Sequence, residues 1–330
     1  MVKAAVAGLG WWGRHITNSL ASRGELRVVR AVDPNLDAHG AFARLHGLPL
    51  AATLDEALAD PEVEAVILCT PHALHAAQVL ACARAGRHVF CEKPLALTGA
   101  DAARSIAACR EAGVVLGIGH ERRFEPAVRR LREVLREGGL GTILHARGDF
   151  SHDKLAHIAE GDWRADPAHA PAASMTAMGV HLTDLFLDLV GPIAEVHAIA
   201  PRLFDKRPNG DGISVHLRFA SGASGHVNAV LETPLYSSLV IQGSGGWAEI
   251  RNETHPDTSG PSTLTVQPRD GDRREERFAW ENATLLNLLA FAAAVRGTAP
   301  YPFTDAQKLG NVAVLEAVAR SVATGAPVSV

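Results

Sequence analysis

The chain has 330 residues, of which 47% are hydrophobic and 21% are charged. These values are typical of a globular protein, exclude a disordered or fibrous chain, and leave room for two domains. The 32 basic and 36 acidic side chains give a formal net charge of −4, which excludes the basic surface of a nucleic-acid-binding protein, so small molecules are the expected partners.

The sequence carries no signal for a membrane or for export. Its most apolar stretch, residues 285–295, is too short to span a bilayer. A strand pattern begins at residue 3 and leaves no room for a signal peptide. The four cysteines lie in the first third without a Cys-x-x-Cys pair, so reduced, buried thiols are expected. We therefore predict a cytoplasmic protein.

The first third of the chain alternates short apolar strands with helices. The predicted strands are residues 3–8, 26–33, 65–70, 88–93 and 114–119. A helical stretch precedes each later strand, and the clearest one covers residues 99–113, with Thr98 as its N-cap. Strands that are apolar on both faces need helices on both sides, which predicts a doubly wound parallel sheet.

A dinucleotide-binding fingerprint lies at the first strand–helix turn. Gly8, Gly10 and Gly13 follow a strand and open a helix, and Asp33 ends the next strand about 20 residues later. Gly8 allows the tight turn, Gly10 lets the backbone approach a pyrophosphate, and Gly13 permits close packing of the helix on the strand. Asp33 favours NAD over NADP, because residues 33–37 offer no Arg or Lys to compensate a 2′-phosphate.

Polar residues follow two further strands of the first third. Thr70 and Pro71 end one strand, and His75 lies in the helix behind it. A Glu-Lys-Pro run at residues 92–94 follows the next strand. Because the carboxyl ends of parallel strands line the ligand crevice, Thr70, Glu92 and Lys93 are expected on the cofactor side.

After about residue 140 the pattern changes to strands of alternating character with short connections. These strands are residues 142–151, 193–200, 212–220, 224–232, 237–244 and 246–252. Two helices, at about 283–297 and 304–323, close the chain. An apolar helix that starts at Met178 and stops at Gly191 carries His181. A histidine in such a place is usually a core residue, so the helix alone does not assign it a role.

Six motifs, in this order, resemble the Gfo/Idh/MocA family, which groups glucose–fructose oxidoreductase, inositol dehydrogenase and MocA-like proteins. The motifs are GLGWWG (8–13), TPHALH (70–75), EKP (92–94), GHERRFEP (119–126), WRADP (163–167) and GVHLTDL (179–185). The resemblance implies a Rossmann domain over residues 1–122 and an α/β substrate-binding domain over 123–330, built on a large, mostly antiparallel sheet. It also implies that the last helix packs back on the first domain and that the exposed sheet face joins subunits into a homodimer or homotetramer.

The same resemblance implies hydride transfer between the nicotinamide of NAD and a carbinol or carbonyl carbon of a sugar, polyol or cyclic diol. Lys93 and His181 are expected to handle the proton, because alcohol oxidation needs an acid–base group and a cation at the oxygen. The expected cofactor contacts are Gly8, Gly10, Trp11, Trp12, Gly13, Asp33, Thr70, Pro71, His75, Glu92, Lys93 and Arg122.

One group that the resemblance implies is missing. Many members of the family carry an aspartate four residues before the histidine, where this chain has Ala177. Either Lys93 and His181 suffice, or another group replaces the carboxylate, or catalysis has been lost, which the retention of both residues argues against. The candidate replacements are Asp184 and a loop at residues 150–164 that contains His152, Asp153, Lys154 and His157. Arg164 in that loop either lines the substrate pocket or packs the loop.

Other classes of function fit parts of the same sequence. The His72 and His75 pair suggests a metal site, but no carboxylate or cysteine completes a ligand set, so no metal is predicted. Lys93 and His181 would also serve an NAD-recycling epimerase, isomerase, lyase or glycosidase with no net redox change. A catalytically silent, NAD-linked sugar-binding regulator is the remaining alternative.

Overall fold

The computed structural model describes residues 1–21, 24–159, 161–172, 174–204 and 207–330, which divide into two compact units. Unit 1 contains Met1–His120 and Thr284–Leu309, and unit 2 contains Glu121–Ala283 and Gly310–Val330. Residues 284–309 therefore lie in unit 1, although the prediction placed everything after residue 122 in the second domain. Glu160, part of the predicted loop 150–164, lies outside the described residues.

Unit 1 alternates strands and helices. In chain order they are β1 Val2–Ala7, α1 Trp11–Leu20, β2 Leu26–Val32, α2 Leu36–Leu45, β3 Leu50–Ala51, α3 Leu54–Leu58, β4 Ala65–Leu68, α4 His75–Arg84, β5 His88–Cys91, α5 Gly99–Glu111 and β6 Leu116–Ile118. Within the described residues the strands form a six-stranded parallel sheet in the order β3-β2-β1-β4-β5-β6. The predicted doubly wound sheet is therefore confirmed. The two-residue strand β3, at one edge, is an addition that no sequence pattern indicated.

The core of unit 1 includes a helix from late in the chain. Helix α8, Ala283–Val295, contributes Leu285, Leu288 and Phe291 to the buried cluster that contains residues of β1, β2 and β4. Phe291 packs edge-on against Phe90 of β5, with ring centroids 5.6 Å apart. Burial of each of these side chains stabilises the folded unit by roughly 1.5–3 kcal/mol, and this stabilisation holds α8 in unit 1. Neither α8 nor any other helix in the described ranges is long and apolar enough to cross a membrane.

Unit 2 is built on a larger sheet. Its elements are α6 Pro126–Arg136, β7 Ile143–Ser151, α7 Val180–Leu189, β8 Ile193–Ile199, β9 Gly212–Phe219, β10 Ser224–Val230, β11 Tyr236–Gly243, β12 Gly246–Asn252, β13 Ser262–Pro268, β14 Arg274–Phe278 and β15 Val328–Ser329. In the described part of this unit, nine strands follow the order β14-β13-β12-β11-β7-β10-β9-β8-β15, and the neighbours are antiparallel except for β7 and β10. The mostly antiparallel sheet is confirmed. Helix α9, Asp305–Thr324, begins in unit 1 and continues in unit 2.

Strands β13, β14 and β15 were not predicted. The sequence of β14, REERF, is mostly charged, and the strand lies at the sheet edge, where it pairs with β13. Charged edge strands avoid edge-to-edge association, so they lack the apolar alternation that marks a half-buried strand. Sequence reasoning therefore found the central strands and missed the edge.

Two helix starts are informative. The predicted N-cap of α5 is confirmed, because Thr98 Oγ1 accepts a hydrogen bond from the backbone N–H of Asp101 at 3.1 Å. The helix that carries His181 begins earlier than predicted, since a π-helical turn, Met175–Gly179, precedes α7 and contains Ala177. Such turns occur frequently at functional sites.

The cysteines are free thiols, as expected. Burial raises the pKa of Cys82 to about 12 and that of Cys109 to about 11. Burial also raises the pKa values of Cys69 and Cys91 well above the ordinary value. All four thiols therefore stay protonated at neutral pH, which makes them poor nucleophiles.

Candidate active site

The turn between β1 and α1 carries the glycines of the fingerprint. Gly8 has a φ of +90°, and a Cβ there would lie 2.7 Å from the carbonyl oxygen of Cys69. A Cβ on Gly13 would lie 1.9 Å from the carbonyl oxygen of Gly8. Glycine is therefore required at both positions, at Gly8 for a left-handed backbone and at Gly13 for close packing of the helix on the turn.

Gly10 faces open space instead. A Cβ on Gly10 would meet no atom of the described residues within 4 Å, and Gly10 is the N-cap of α1. The cleft beside it has a volume of about 490 Å³. Its lining residues are Leu9, Gly10, Trp11, Arg14, His15, Asn18 and His39. An open helix N-terminus binds anions through its free N–H groups, so this cleft fits the pyrophosphate of a dinucleotide.

Asp33, at the end of β2, is held inside the same region. Its carboxylate accepts hydrogen bonds from the backbone N–H groups of Leu9 at 2.8 Å and Asn35 at 2.9 Å. His39 Nε2 lies 3.4 Å from the Asp33 carboxylate, and Arg14 Nη2 lies 2.8 Å from His39 Nδ1. Residues 33–37 contain no Arg or Lys, but the fold brings His39 from α2 to the Asp33 carboxylate and Arg14 from α1 to His39.

Glu92, after β5, is a buried carboxylate at the start of the Glu-Lys-Pro run. It lies against Gly119, where a Cβ would be 2.3 Å from Glu92 Oε2, and it accepts a hydrogen bond from the backbone N–H of Lys93 at 3.3 Å. Burial raises the pKa of Glu92 to about 7, against the opposing effects of Trp12 and Lys93. Through the hydrogen bond from the Lys93 N–H, the Glu92 carboxylate fixes the backbone at Lys93. The Lys93–Pro94 peptide bond is cis.

The structure gives His75 a different place from the one expected. Its side chain is fully buried, with Nδ1 2.7 Å from the carbonyl oxygen of Pro94 and Nε2 2.9 Å from that of Thr70. Burial lowers the pKa of His75, and the two carbonyl groups oppose that shift. The ring thus ties together the loops after β4 and β5 and offers no exposed nitrogen to a cofactor. Thr70 donates its hydroxyl hydrogen to Gln78 Oε1.

Pro71 and Trp12, two further expected cofactor contacts, lie in unit 1. Pro71 precedes the 3₁₀ turn His72–Leu74, and the Trp12 ring stacks on that of His15 with centroids 4.9 Å apart. Among the described residues, no group of three or more His, Cys, Asp or Glu side chains is arranged to hold a metal ion.

In unit 2, Asp184 is engaged away from His181. Arg123 Nε and Nη2 donate to the two carboxylate oxygens of Asp184 at 2.8 and 2.6 Å, and both side chains are buried. This bidentate ion pair fixes α7 against the 3₁₀ turn Glu121–Phe124. Of the candidate replacements for the missing carboxylate, Asp184 is therefore engaged by Arg123, because both of its oxygens face the guanidinium.

The carboxylate that lies beside His181 is Glu121. Its Oε1 atom is 3.7 Å from His181 Nδ1, and both side chains are buried. Glu121 stands in the GHERRFEP motif, from which Arg122 but not Glu121 was predicted as a site residue. Sequence reasoning missed this residue because a helix and a turn that are 60 residues apart in the chain meet only in the folded unit.

His181 also belongs to a ring cluster around Phe150 on β7. Its ring packs edge-on to Phe150 at 6.1 Å, and His152 and His255 pack against the same ring at 5.2 and 5.4 Å. The guanidinium of Arg122 lies over Phe150 at 4.7 Å. His152 was a sequence candidate, whereas His255 had no signal because it stands alone in a loop.

His255 is held by an acidic partner. Its Nδ1 atom lies 2.6 Å from Asp257 Oδ1, and Lys154 Nζ lies 2.6 and 2.7 Å from the two oxygens of that carboxylate. Burial would raise the pKa of Asp257, but the hydrogen bonds from His255 and Lys154 outweigh it and hold that pKa well below its usual range. For His255 burial is the largest effect and lowers the pKa of the imidazole, which favours its neutral form at physiological pH.

The remaining predicted residues divide between the cluster and the loop. Arg122 is bound to Glu125 at 2.7 Å and to Ser237 at 3.2 Å within unit 2. Arg164 pairs with Asp162 and lies over the ring of Trp163 at 4.4 Å, so it packs its own loop. Asp153 and His157 are exposed.

Comparison with known proteins places the chain in a family. Residues 2–120 match an oxidoreductase family with an NAD-binding Rossmann fold, and residues 128–249 match the Gfo/Idh/MocA C-terminal domain. The chain belongs to the Gfo/Idh/MocA family. The order of the motifs had indicated this assignment, which is confirmed. The chain is accordingly an enzyme of the NAD(P)-dependent oxidoreductase class.

Similar Gfo/Idh/MocA proteins cover most of the chain. The 1,5-anhydro-D-fructose reductase of Ensifer adhaerens is 32% identical over 304 residues, which are 90% of this chain and 89% of that protein. The trans-1,2-dihydrobenzene-1,2-diol dehydrogenase of Mus musculus is 29% identical over 262 residues, 79% of this chain and 74% of that protein. The structure of aldose-aldose oxidoreductase from Caulobacter crescentus, complexed with glycerol, has a TM-score of 0.88 at 25% identity, and it covers 100% of this chain and 99% of that one.

Proposed function

We propose that this enzyme is an NAD-dependent oxidoreductase that transfers a hydride between nicotinamide and a carbinol or carbonyl carbon of a sugar, polyol or cyclic diol. The observation that carries the proposal is the open glycine turn at the start of α1 in a chain of this family. The substrate class is supported by the relatives, whose names refer to an anhydrosugar, a cyclic diol and aldoses.

The residues proposed to hold the cofactor surround that turn. The backbone N–H groups that follow Gly10 would bind the pyrophosphate, and the Asp33 carboxylate would accept hydrogen bonds from the ribose hydroxyls. We favour NAD over NADP because a 2′-phosphate would meet this carboxylate. The Asp33 carboxylate is the group that we propose decides between the two cofactors, because without it the basic side chains of Arg14 and His39 would face the 2′-phosphate of NADP.

Lys93 and His181 are proposed to handle the proton. A bound nicotinamide supplies the hydride acceptor or donor. The Lys93 ammonium would stabilise the carbinol oxygen as its proton leaves, because negative charge develops there. His181 would take that proton as a neutral imidazole, and a positioned base of this kind contributes about 10²–10⁴-fold to the rate.

The Phe150 cluster favours a neutral, hydroxyl-bearing substrate. Its two cations are already compensated, Arg122 by Glu125 and Lys154 by Asp257. Imidazoles such as that of His255 can donate to or accept from a hydroxyl group, depending on the tautomer. A carboxylated substrate would instead require an uncompensated cation. We therefore propose that the cluster binds the hydroxyl groups that do not react.

We propose a homodimer or homotetramer formed through the outer face of the nine-stranded sheet. On that face the partly exposed side chains of His145, His216 and His226 come from neighbouring strands, and the rings of His216 and His226 lie 5.1 Å apart. We also propose a cytoplasmic location, consistent with the free, protonated thiols.

A turnover assay tests the function. The purified protein is mixed with NAD and pools of aldoses, polyols and cyclic diols, and the absorbance of reduced nicotinamide is followed. We expect turnover with at least one pool, and loss of about 100-fold or more in Lys93→Met and in His181→Asn. Lys3→Met and His46→Asn are the matched controls, since both residues lie outside the candidate site. Full activity in the first two variants would overturn their roles.

A further inference from the structure

We propose that Glu121 is the positioning residue for His181, holding the Nδ1 side of the imidazole so that Nε2 is the proton acceptor. The inference rests on the proposed function, in which His181 is the base. An imidazole works as a base at one nitrogen only when the other carries the proton, and that tautomer is set by the partner of the other nitrogen.

The geometry of the pair carries the inference. Glu121 Oε1 lies 3.7 Å from His181 Nδ1, and the side chains are 11% and 7% exposed. Opposite charges at this separation attract more strongly inside a protein than in water, and salt screens them less. Hydrogen bonds at catalytic histidines are often long before substrate binds and tighten afterwards. The pair is therefore placed to close when the imidazole takes a proton.

The way the turn docks on α7 explains why Glu121 is the partner. Arg123, two residues further along the 3₁₀ turn, forms the bidentate ion pair with Asp184, which lies three residues after His181 on the helix. Glu121 and Arg123 of the 3₁₀ turn thus lie beside His181 and Asp184, which are about one helical turn apart on α7. The rigid Arg123–Asp184 pair fixes this register and sets Glu121 beside the imidazole.

Other acidic groups of the surroundings are engaged elsewhere. Asp184 faces Arg123, and Asp257 is bound by His255 and Lys154. Ala177, one turn earlier, carries no polar group. Arg122 and His152, two further charged or titratable groups of this part of the unit, contact the ring of Phe150.

The proton balance of the step follows. In the oxidation direction the substrate hydroxyl gives its proton to His181 Nε2, while the hydride goes to the oxidised nicotinamide cofactor of the proposed function. The resulting imidazolium carries protons on both nitrogens, and the Glu121 carboxylate stabilises the charge through Nδ1–H. In the reverse direction the same pair supplies the proton.

The kinetic test uses Glu121→Gln, with Glu195→Gln as the matched control. Glu195 is a carboxylate of the same unit, on β8, that pairs with Arg218. In Glu121→Gln we expect kcat to fall about tenfold or more with KM within about twofold, because the loss concerns the proton step. The acid limb of the kcat profile should move to lower pH, because the imidazolium has lost its anion. Glu121→Asp should restore part of the rate, and Glu195→Gln should keep the profile of the wild type.

A spectroscopic measurement separates this inference from the proposed function. Histidine-labelled protein without substrate reports the tautomer and titration of His181 through its ¹⁵N shifts. We expect Nδ1–H in the wild type, a mixed tautomer in Glu121→Gln, and a lower titration midpoint in that variant. Identical spectra in the two proteins would overturn the inference. If His181→Asn keeps full activity while Glu121→Gln still changes the tautomer of His181, the proposed role of His181 as the base is overturned. The positioning of the imidazole by Glu121 is then left intact.

Discussion

At the scale of single residues, surroundings decide what each carboxylate of this chain does. Arg123 holds Asp184 and Lys154 holds Asp257, whereas Glu92 is buried with less compensation and has a pKa raised to about 7. Sequence reasoning placed Asp33 and the fingerprint glycines correctly relative to β1 and α1, because that motif is local. It offered Asp184 as one candidate for the missing carboxylate and missed Glu121, because the partners of both residues come from distant segments.

Glu92 predicts a pH dependence of stability. Its folded pKa of about 7 lies above the ordinary 4.5, so the neutral form is favoured in the folded state. The contribution of protonated Glu92 to the free energy of unfolding is fully present below pH 4.5 and is lost as pH rises through about 7. The loss amounts to about 3 kcal/mol. Relative to Glu92→Gln, wild-type unfolding free energy should therefore fall between pH 5 and pH 8 in denaturant titrations. Glu62→Gln, an exposed control, should show no such trend, and parallel curves for Glu92→Gln and wild type would contradict the assignment.

Asp33 predicts the choice of cofactor. Replacing it with serine removes a charged acceptor, worth about 1.5–3 kcal/mol, so NAD affinity should fall about 10- to 100-fold. NADP affinity should rise, because Arg14 and His39 then face the 2′-phosphate without the carboxylate. Titration of protein fluorescence with each cofactor measures both changes. Arg14→Leu added to Asp33→Ser should cancel the gain for NADP, and a wild type that prefers NADP would refute the NAD proposal.

At the scale of elements, long-range side-chain contacts hold the loop that follows β7. Asn209 Nδ2 donates to the carbonyl oxygens of Arg164 and Ala170, both at 2.8 Å, and the buried Arg207 bonds to the carbonyl oxygen of Leu155 and to Glu232. The sequence analysis named residues 150–164 of this loop only as a source of candidate side chains. The sequence could not show these anchors, because they connect segments about 40 to 50 residues apart.

Asn209→Ala tests this anchoring. Loss of two buried hydrogen bonds should cost about 1–3 kcal/mol locally. Amide hydrogen exchange in residues 161–172 should therefore become faster, while exchange in the central strands stays unchanged. Asn228→Ala, which removes a bond to Asp149 on the sheet, serves as the control. Unchanged exchange in residues 161–172 would mean that the loop is held by other contacts.

At the scale of the whole molecule, periodicity predicted both sheets but not the division of the chain. Apolar runs gave the strands of the parallel sheet, and alternation gave the central strands of the antiparallel one. No periodic signal says which unit a helix packs against, so α8 was assigned by its position in the chain. Its apolar side chains instead complete the core of unit 1 around Phe90.

The proposed assembly is testable at this scale. Light scattering should give a mass of two or four times the 34.9 kDa of one chain. His216→Glu with His226→Glu places added negative charge on the outer sheet face, which would repel the same face of a second copy. The double variant should lower the mass toward one chain without unfolding it. A wild type of 34.9 kDa would contradict the assembly.

The central claim is hydride transfer from a carbinol carbon to nicotinamide, and isotope transfer tests it most directly. Substrates from the active pool are supplied with deuterium on carbon, and the reduced cofactor is examined by mass spectrometry. The account predicts reduced NAD that carries one deuterium, formed by the wild type and about 100-fold or more slower by Lys93→Met and His181→Asn. Reduced cofactor without deuterium, or none from any sugar, polyol or cyclic diol, would contradict it.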